Sequence, residues 1–424
     1  MQPPPLDRSI GMMVYATPHE GVGGRLRVEF EDFFVEEILD GVVFRHLSND
    51  PQKQNSFTLY TLTKEGLDTL HASEVIKRKF GVRVKYLGIK DARAVTTQYI
   101  TIPSSAGCLR EKVSDKITVR KLGYLTYPLN RNHLLGNRFK INVRDVIKAE
   151  NLDKILDALR EHGVPNFFGY QRFGSRRPVS HLIGRALVKR RFEEAVELLL
   201  SYTTGEEDLE VQRLRRLLSE EPSVVDIESL PPLMDIEKTV LRELKKSPTD
   251  YVKAVKALPL RITRLFVNAY QSYIFNKTLS AAIEDGVNLS SIQPSDLYAE
   301  FAGLKMGEVK KADCKISLDN SKKPLLLCPI VGYRYREERS GRFRRYVSEI
   351  LSDEGLSPRS FYIDEIPELS VEGDLRPATI PIESFGAKFD GSMLSIEATL
   401  SKGCYITSLL REIIKPADPV NAGF

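Results

Sequence analysis

The amino-acid sequence predicts a protein of mixed α-helices and β-strands that is large enough for two or three domains. Residues 95–102 are rich in β-branched and aromatic side chains, which is typical of a strand. Residues 151–162 instead place leucine and isoleucine at helical spacing along one side, as in an amphipathic helix. A length of 424 residues, of which 42% are hydrophobic, provides material for more than one core.

The first third of the chain is predicted to contain several strands and one helix. Residues 24–40 alternate in polarity, which indicates a half-buried strand. Residues 56–62 form a second predicted strand, and we expect it to pair with the first. Residues 69–80 have apolar side chains at near-helical spacing, and Gly81 is a typical helix stop.

The rest of the chain is predicted to combine long helical tracts with isolated strands. Residues 191–246 are helix-rich, residues 261–285 form one long helix, and residues 324–331 form an apolar strand. In the long helix, the residues expected to face a core are Leu265, Phe266, Ala269, Tyr270, Tyr273 and Ile274. Residues 387–398 are expected to form a strand, followed by a short helix within residues 400–415.

The distribution of charge is more informative than the formal net charge of +5. Residues 110–140 carry eight basic and two acidic residues with three aromatic rings among them, a pattern that suits either an RNA surface or strands with solvated cationic faces. Residues 171–191 contain seven basic and no acidic residues, and residues 334–345 contain six basic and two acidic. Residues 206–245, with eleven acidic and six basic residues, are expected to face away from RNA.

The cysteines and the apolar content predict a location rather than an activity. Cys108, Cys314, Cys328 and Cys404 are far apart, contain no C-x-x-C pair and have no histidine cluster near them. This spacing predicts neither a zinc site nor a disulfide framework, and it fits a reducing cytoplasm. No apolar run is long enough to span a bilayer, so we expect a soluble, intracellular protein with no membrane partner.

Asp91 is the candidate functional residue, because it lies in a short connection between two predicted strands. Such a loop holds a side chain still and leaves it open to a ligand. Lys90 and Arg93 flank the carboxylate and favour its ionised form near neutral pH. The residues alone leave two interpretations, a catalytic carboxylate or an ordinary turn-forming aspartate.

The residues around Asp91 match a specific motif. Gly88, Lys90, Asp91, Ala94, Thr96 and Gln98 spell G-x-K-D-x-x-A-x-T-x-Q, which resembles the active-site motif of the tRNA pseudouridine synthase D (TruD) family. Further segments resemble the family at E-D-F-x-V-x-E (31–37), N-R-F (137–139), P-N-F-F-G with Q-R-F-G (165–174), A-Y-Q-S (269–272) and K-G-C-Y (402–405).

This resemblance implies a fold, a reaction and a partner. The implied fold is α+β, with a pseudouridine synthase catalytic domain of mixed, mainly antiparallel sheet and helices, interrupted by an inserted α+β TRUD domain. We place the first part of the catalytic domain at residues 1–169, the insertion at residues 170–376 and the closing part at residues 377–424. The implied activity is conversion of uridine to pseudouridine in tRNA, at position 13 of the D arm, by base flipping and with no cofactor or metal.

The resemblance also assigns roles to individual residues. Asp91 is the catalytic residue, acting on the ribose either as a nucleophile or as a base. Other pseudouridine synthase families have an arginine where Thr407 stands, so the cationic partner of Asp91 is expected to be Arg27 or, as second choice, Arg411. Asn137 is expected to form a hydrogen bond to Asp91 or to the base edge, and Phe139 and Tyr405 are expected to stack on the base. Thr96 and Gln98 are expected to brace the loop. The residues expected to bind RNA are Lys90, Arg93, Arg172, Arg176 and Arg177.

Two alternatives to an RNA-modifying isomerase remain at this stage. One is a tRNA-binding protein or RNA chaperone on the same scaffold, without catalysis. The other, a metal-dependent nuclease, is weaker because the sequence lacks the clustered carboxylates that such a site requires. The sequence does not indicate the oligomeric state.

Overall fold

A computed structural model describes residues 1–50, 56–221, 224–313 and 322–424 of the chain. The strands are β1 (Phe33–Leu39), β2 (Phe57–Glu65), β3 (Lys85–Tyr86), β4 (Val95–Pro103), β5 (Lys112–Ser114), β6 (Ile117–Leu125), β7 (Leu134–Val143), β8 (Leu297–Ala302), β9 (Lys305–Lys311), β10 (Lys323–Ile330), β11 (Asp374–Pro377), β12 (Ile382–Phe389) and β13 (Leu394–Ser401). The helices are α1 (Pro5–Ser9), α2 (Gly41–Arg45), α3 (Thr69–Phe80), α4 (Leu152–His162), α5 (Ser180–Val188), α6 (Phe192–Ser201), α7 (Leu209–Glu220), α8 (Asp235–Lys246), α9 (Tyr251–Lys256), α10 (Leu260–Glu284), α11 (Arg344–Asp353) and α12 (Ile406–Ile414).

The central sheet has the order β12-β13-β7-β1-β4-β2-β6-β5, and β3 pairs with β4. Of the strand pairs that the structure describes in this sheet, only β1 and β4 run parallel, so the predicted α+β fold with a mainly antiparallel sheet is confirmed. The expected pairing of the first two strands is wrong, because β2 lies between β4 and β6. Strands that are consecutive in sequence are often, but not always, neighbours in a sheet.

A second sheet, with the order β11-β10-β8-β9, is formed by strands in the later half of the chain. A separate apolar cluster joins α5, α6 and α10 near it. The chain then returns to the central sheet, where β13 pairs with β7. This path is that of a domain interrupted by an inserted segment. The main hydrophobic core is nevertheless shared by the central sheet and the inserted segment, because it includes Phe275 and Leu279 of α10. The boundaries at residues 170 and 376 stay a prediction.

The local helix signals are confirmed. In α3 the Asp68 carboxylate accepts the His71 N–H at the start, and Gly81 ends the helix with a φ of 70°. The helices α4 and α10 and the helix-rich tract α6–α8 lie where the periodicity predicts them. In α10, Leu265 is 40% exposed, so its expected position in the core is wrong, whereas Phe266, Ala269, Tyr270 and Ile274 are buried.

The single strand expected at residues 387–398 is also wrong. The structure has a hairpin of β12 and β13 there, and Gly391 supplies a left-handed φ of 97° at its turn. The Asp390 carboxylate accepts the N–H groups of Ser392 and Met393, which closes the turn. The short helix that follows, α12, agrees with the prediction.

The residues that the structure describes include neither a membrane-spanning helix nor a metal-binding group. No helix among them is long and apolar enough to cross a membrane. Within the same ranges, no group of three or more His, Cys, Asp or Glu residues is arranged to hold a metal ion. Cys108, Cys328 and Cys404 are free thiols, and Cys314 lies outside the described residues.

Candidate active site

Asp91 lies in the connection between β3 and β4, as the sequence predicts, and its side chain is 43% exposed. Beneath the connection lies Lys64 of β2, which is only 1% exposed. Its ammonium donates hydrogen bonds to the carbonyl oxygens of Leu67 at 2.5 Å, Asp91 at 3.0 Å and Lys90 at 3.4 Å. Burial lowers the pKa of Lys64 from 10.5 to about 8, against the opposing effect of the nearby carboxylates. The backbone of the loop that carries Asp91 is therefore tied to a buried cation.

A second set of hydrogen bonds braces the same loop. Thr69 donates from its hydroxyl to the Gln98 side-chain oxygen at 2.8 Å and accepts the Lys90 backbone N–H at 2.8 Å. Gln98 also donates to the Gly88 carbonyl at 3.4 Å, so its predicted bracing role is confirmed. Among the described residues the buried Thr96 hydroxyl has no hydrogen-bond partner, so the expectation that Thr96 braces the loop is wrong.

Arg27 is the basic residue that faces Asp91. Its Nη2 lies 3.4 Å from Asp91 Oδ2, and its Nη1 donates to the Gly423 carbonyl at 2.7 Å. The guanidinium stacks 4.0 Å from the centre of the Phe33 ring. Burial lowers the pKa of Arg27, while Asp91 acts to raise it. Arg27 also has a φ of 54°, a left-handed conformation that is uncommon outside glycine.

Gln171 is a further partner of Asp91, and the sequence assigned it no role. It lies in a single helical turn, Tyr170–Arg172, and its amide nitrogen donates to Asp91 Oδ2. One carboxylate oxygen therefore receives donors from two distant parts of the chain, while Oδ1 has no side-chain partner among the described residues. This leaves Oδ1 available to a ligand.

Lys90 is turned inward toward a buried carboxylate. Its ammonium donates to the Asn137 side-chain oxygen at 2.7 Å and lies 3.0 Å from Glu37 Oε1. Glu37 is fully buried on β1, and its Oε2 accepts the Tyr99 backbone N–H at 3.0 Å. Burial raises the pKa of Glu37, and Lys90 opposes that shift. Lys90 thus helps to hold the residues of the site in place, which argues against its predicted role in RNA binding.

Asp91 separates two adjoining cavities. The outer one is a cleft of about 700 Å³ whose cationic lining includes Arg25, Arg27, Arg93 and Arg176. The inner one is a pocket of about 120 Å³. Its lining residues include Arg27, Phe33, Lys90, Asp91, Thr96, Asn137, Phe139, Gln171, Tyr405 and Thr407. The structure therefore brings Asp91, Arg27, Asn137, Phe139 and Tyr405 to one place.

The arginines predicted to bind RNA fall into two groups. Arg93 and Arg176 are exposed and line the outer cleft. Arg172 instead lies 5.2 Å from the centre of the Phe168 ring and lines neither cavity. Arg177 is directed into the protein, where it donates to the carbonyls of Leu198, Leu199 and Tyr202 at the end of α6. Burial lowers its pKa to about 10. The structure thus corrects the prediction for Arg177, which is a structural cation.

Arg411 is not a partner of Asp91, which corrects the second choice made from the sequence. It is 0% exposed and donates to Asp7 at 2.5 Å, to Glu412 at 2.7 Å and to the Val14 carbonyl at 2.9 Å. These bonds occupy all of its nitrogens in a buried ionic cluster. The cluster joins α12 to the N-terminal segment.

The site residues that sequence reasoning missed are Gln171, Lys64 and Glu37. Gln171 belongs to the Q-R-F-G string and Glu37 to the E-D-F-x-V-x-E string, so motif position was a usable signal for both. Lys64 had no such signal, because a lysine in a strand is usually solvated.

A carboxylate between a cationic cleft and an aromatic pocket is typical of an enzyme that acts on a planar ring carried by an anionic chain. The sequence model of the family tRNA pseudouridine synthase D (TruD) matches residues 9–413. A protein of Methanosarcina acetivorans named as a probable tRNA pseudouridine synthase D is 32% identical over 99% of both chains. One of Pyrobaculum islandicum with the same name is 32% identical over 100% of both chains.

A crystal structure from Methanosarcina mazei, of a protein assigned to tRNA pseudouridine synthase D, superposes with a TM-score of 0.78. It is 30% identical in sequence, and the match covers 99% of this chain and 100% of that one. The chain belongs to the tRNA pseudouridine synthase D (TruD) family. It is therefore an isomerase of the tRNA pseudouridine synthase class.

Proposed function

We propose that this protein converts uridine 13 in the D arm of tRNA to pseudouridine, with Asp91 as the catalytic residue. The observation that carries the proposal is the position of Asp91 at the junction of the outer cleft and the inner pocket, with Arg27 and Gln171 on one carboxylate oxygen. The position within tRNA follows from the family resemblance of the motif around Asp91.

The two cavities suit the two parts of a flipped nucleotide. The arginines of the outer cleft suit the phosphates on either side of the target. The inner pocket, with Phe139 and Tyr405 in its wall, suits the base. Stacking on such rings stabilises a flipped base by roughly 1–3 kcal/mol each, which offsets the few kcal/mol lost on extruding it.

The reaction is an internal rearrangement that consumes no reagent. The bond between N1 and C1′ breaks, the detached uracil turns, and a bond forms between C5 and C1′. The C5 proton is lost and N1 gains a proton, so electrons and atoms balance without an oxidant or a reductant. In the proposal Asp91 starts the process, either by attacking the ribose or by removing a proton from it, and Arg27 stabilises its carboxylate.

The test is to map pseudouridine in tRNA transcripts incubated with purified protein. The expected result is a single new pseudouridine at position 13, and no pseudouridine from a transcript with cytidine at that position. Product at another uridine would refute the assigned position alone. Tight tRNA binding without any product would instead support a non-catalytic binding protein.

A further inference from the structure

The inner pocket contains polar groups whose hydrogen-bonding capacity is not used within the described part of the protein. The Asn137 side-chain oxygen accepts a bond from Lys90, but the amide nitrogen of Asn137 makes none. Thr96 and Arg27 also line this pocket, but their unpaired Oγ1 and Nε atoms are themselves buried, so a ligand in the pocket does not reach them. The half-buried Asn137 amide is therefore the donor that a ligand with acceptor atoms can meet there.

The orientation of the Asn137 amide is determined by two charged residues. An ammonium can only donate, so the Asn137 oxygen must face Lys90 and the NH2 group must point away from it. Lys90 is itself held 3.0 Å from Glu37, whose other oxygen accepts the Tyr99 N–H at 3.0 Å. Glu37 and Asn137 are opposite each other on β1 and β7, so backbone pairing fixes the spacing of the set.

A pocket that presents donors distinguishes between the two pyrimidines. Uracil carries carbonyl oxygens at both C2 and C4, which accept hydrogen bonds. Cytosine carries an amino group at C4, which donates. A fixed amide donor facing C4 therefore binds uracil and leaves cytosine with two opposed donors, an arrangement that costs binding free energy.

We propose that Glu37 and Lys90 are positioning residues that hold the Asn137 amide as a hydrogen-bond donor to the flipped uracil, so that the pocket selects uracil over cytosine. The inference rests on the proposed function, and it assigns the base specificity of the same site. It predicts that disturbing any member of the set lowers the preference for uracil as well as the rate.

The experiment measures release of tritium from C5 under single-turnover conditions, because isomerisation replaces the C5–H bond with C5–C1′. Two tRNA substrates are compared, one with [5-³H]uridine and one with [5-³H]cytidine at the target position. The variant Asn137→Asp keeps the shape of the side chain but replaces the donor with an acceptor. We expect a loss of roughly 10- to 100-fold in the uridine rate and a lower ratio of uridine to cytidine rates.

Two further variants separate orientation from general stability. Lys90→Met removes the group that fixes the amide, and we expect a similar loss of rate and of base preference. The double variant Glu37→Gln/Lys90→Met also removes the buried carboxylate that the single change leaves unpaired. We expect it to recover Tm but not the uridine preference. Lys253→Met is the matched control, since Lys253 lies on α9 with Glu243 as its ion-pair partner.

The outcomes are distinguishable. The inference would be overturned if Lys90→Met kept the wild-type preference for uridine, or if the double variant recovered it. In either case activity of the wild type on uridine would still support the proposed function. Absence of tritium release by the wild type from uridine in any tRNA would overturn both.

Discussion

Replacement of Lys64 by methionine tests how the loop that carries Asp91 is held. The ammonium of Lys64 donates to the carbonyls of Lys90 and Asp91 in the loop between β3 and β4, and to the Leu67 carbonyl between β2 and α3. Methionine fills a similar volume but donates nothing, so the three oxygens lose a donor at about 1–3 kcal/mol each.

The loss is offset because burying the ammonium is itself unfavourable. The change in the pKa of Lys64 from 10.5 to about 8 is worth about 3 kcal/mol, at about 1.4 kcal/mol per pH unit. The three lost donors exceed this by about 0–6 kcal/mol, so we expect the free energy of unfolding of Lys64→Met at pH 7 to lie up to about 6 kcal/mol below the wild-type value. In the folded variant the rate of tritium release should fall roughly 10²-fold, because a loosened loop misplaces the Asp91 carboxylate.

The pH dependence supplies an internal check. Between about pH 8 and pH 10.5 the unfolded chain keeps the Lys64 proton while the folded protein has lost it. The unfolded state then binds more protons, so this group makes the folded protein more stable as pH rises through that window. Urea denaturation at pH 7 and pH 10 should show the wild type gaining up to about 3 kcal/mol relative to Lys64→Met. A variant with wild-type activity, or a stability difference that does not change with pH, would refute the reasoning.

Three other substitutions have distinct expected outcomes. Arg27→Met removes the cation beside Asp91 and should lower the single-turnover rate roughly 10²-fold, and Arg27→Lys should recover part of that rate. Equal rates in the wild type and both variants would contradict the assignment of Arg27 as the partner of Asp91. Arg177→Met should lower the free energy of unfolding by about 1–3 kcal/mol in urea titrations, because the carbonyls of Leu198 and Tyr202 lose their donor while Glu237 keeps its ion pair with Arg215, and the Kd for tRNA should stay unchanged. Tyr405→Ala should lower the rate by roughly 5- to 150-fold through lost stacking, with the Kd for tRNA within about twofold of wild type, and a purely binding defect would exclude the stacking role.

The sequence was sufficient where the determining interactions are local. Helix α3 has its N-cap at Asp68 and its stop at Gly81, so both ends are set by neighbouring residues. The motif around Asp91 likewise contains its own brace, Gln98, seven residues further along the same loop and strand. The position of β2 between β4 and β6 depends on contacts distant in sequence, and alternation of polarity carries no such information.

The errors at the site have a common physical origin. Arg177 and Arg411 were assigned from charge and motif position, and a buried arginine looks the same in a sequence as a solvated one. Their carboxylate and carbonyl partners come together only on folding. Gln171 reaches Asp91 because its helical turn packs against the loop, a contact between residues 80 positions apart.

The catalytic role proposed for Asp91 is tested by the variant Asp91→Asn. Its single-turnover rate of pseudouridine formation and its Kd for tRNA are each compared with the wild-type values. Asparagine keeps the shape of the side chain and removes its negative charge. We therefore predict a rate that is lower by roughly 10²–10⁴-fold and a Kd that is almost unchanged. A variant that still forms pseudouridine at the wild-type rate would contradict the account.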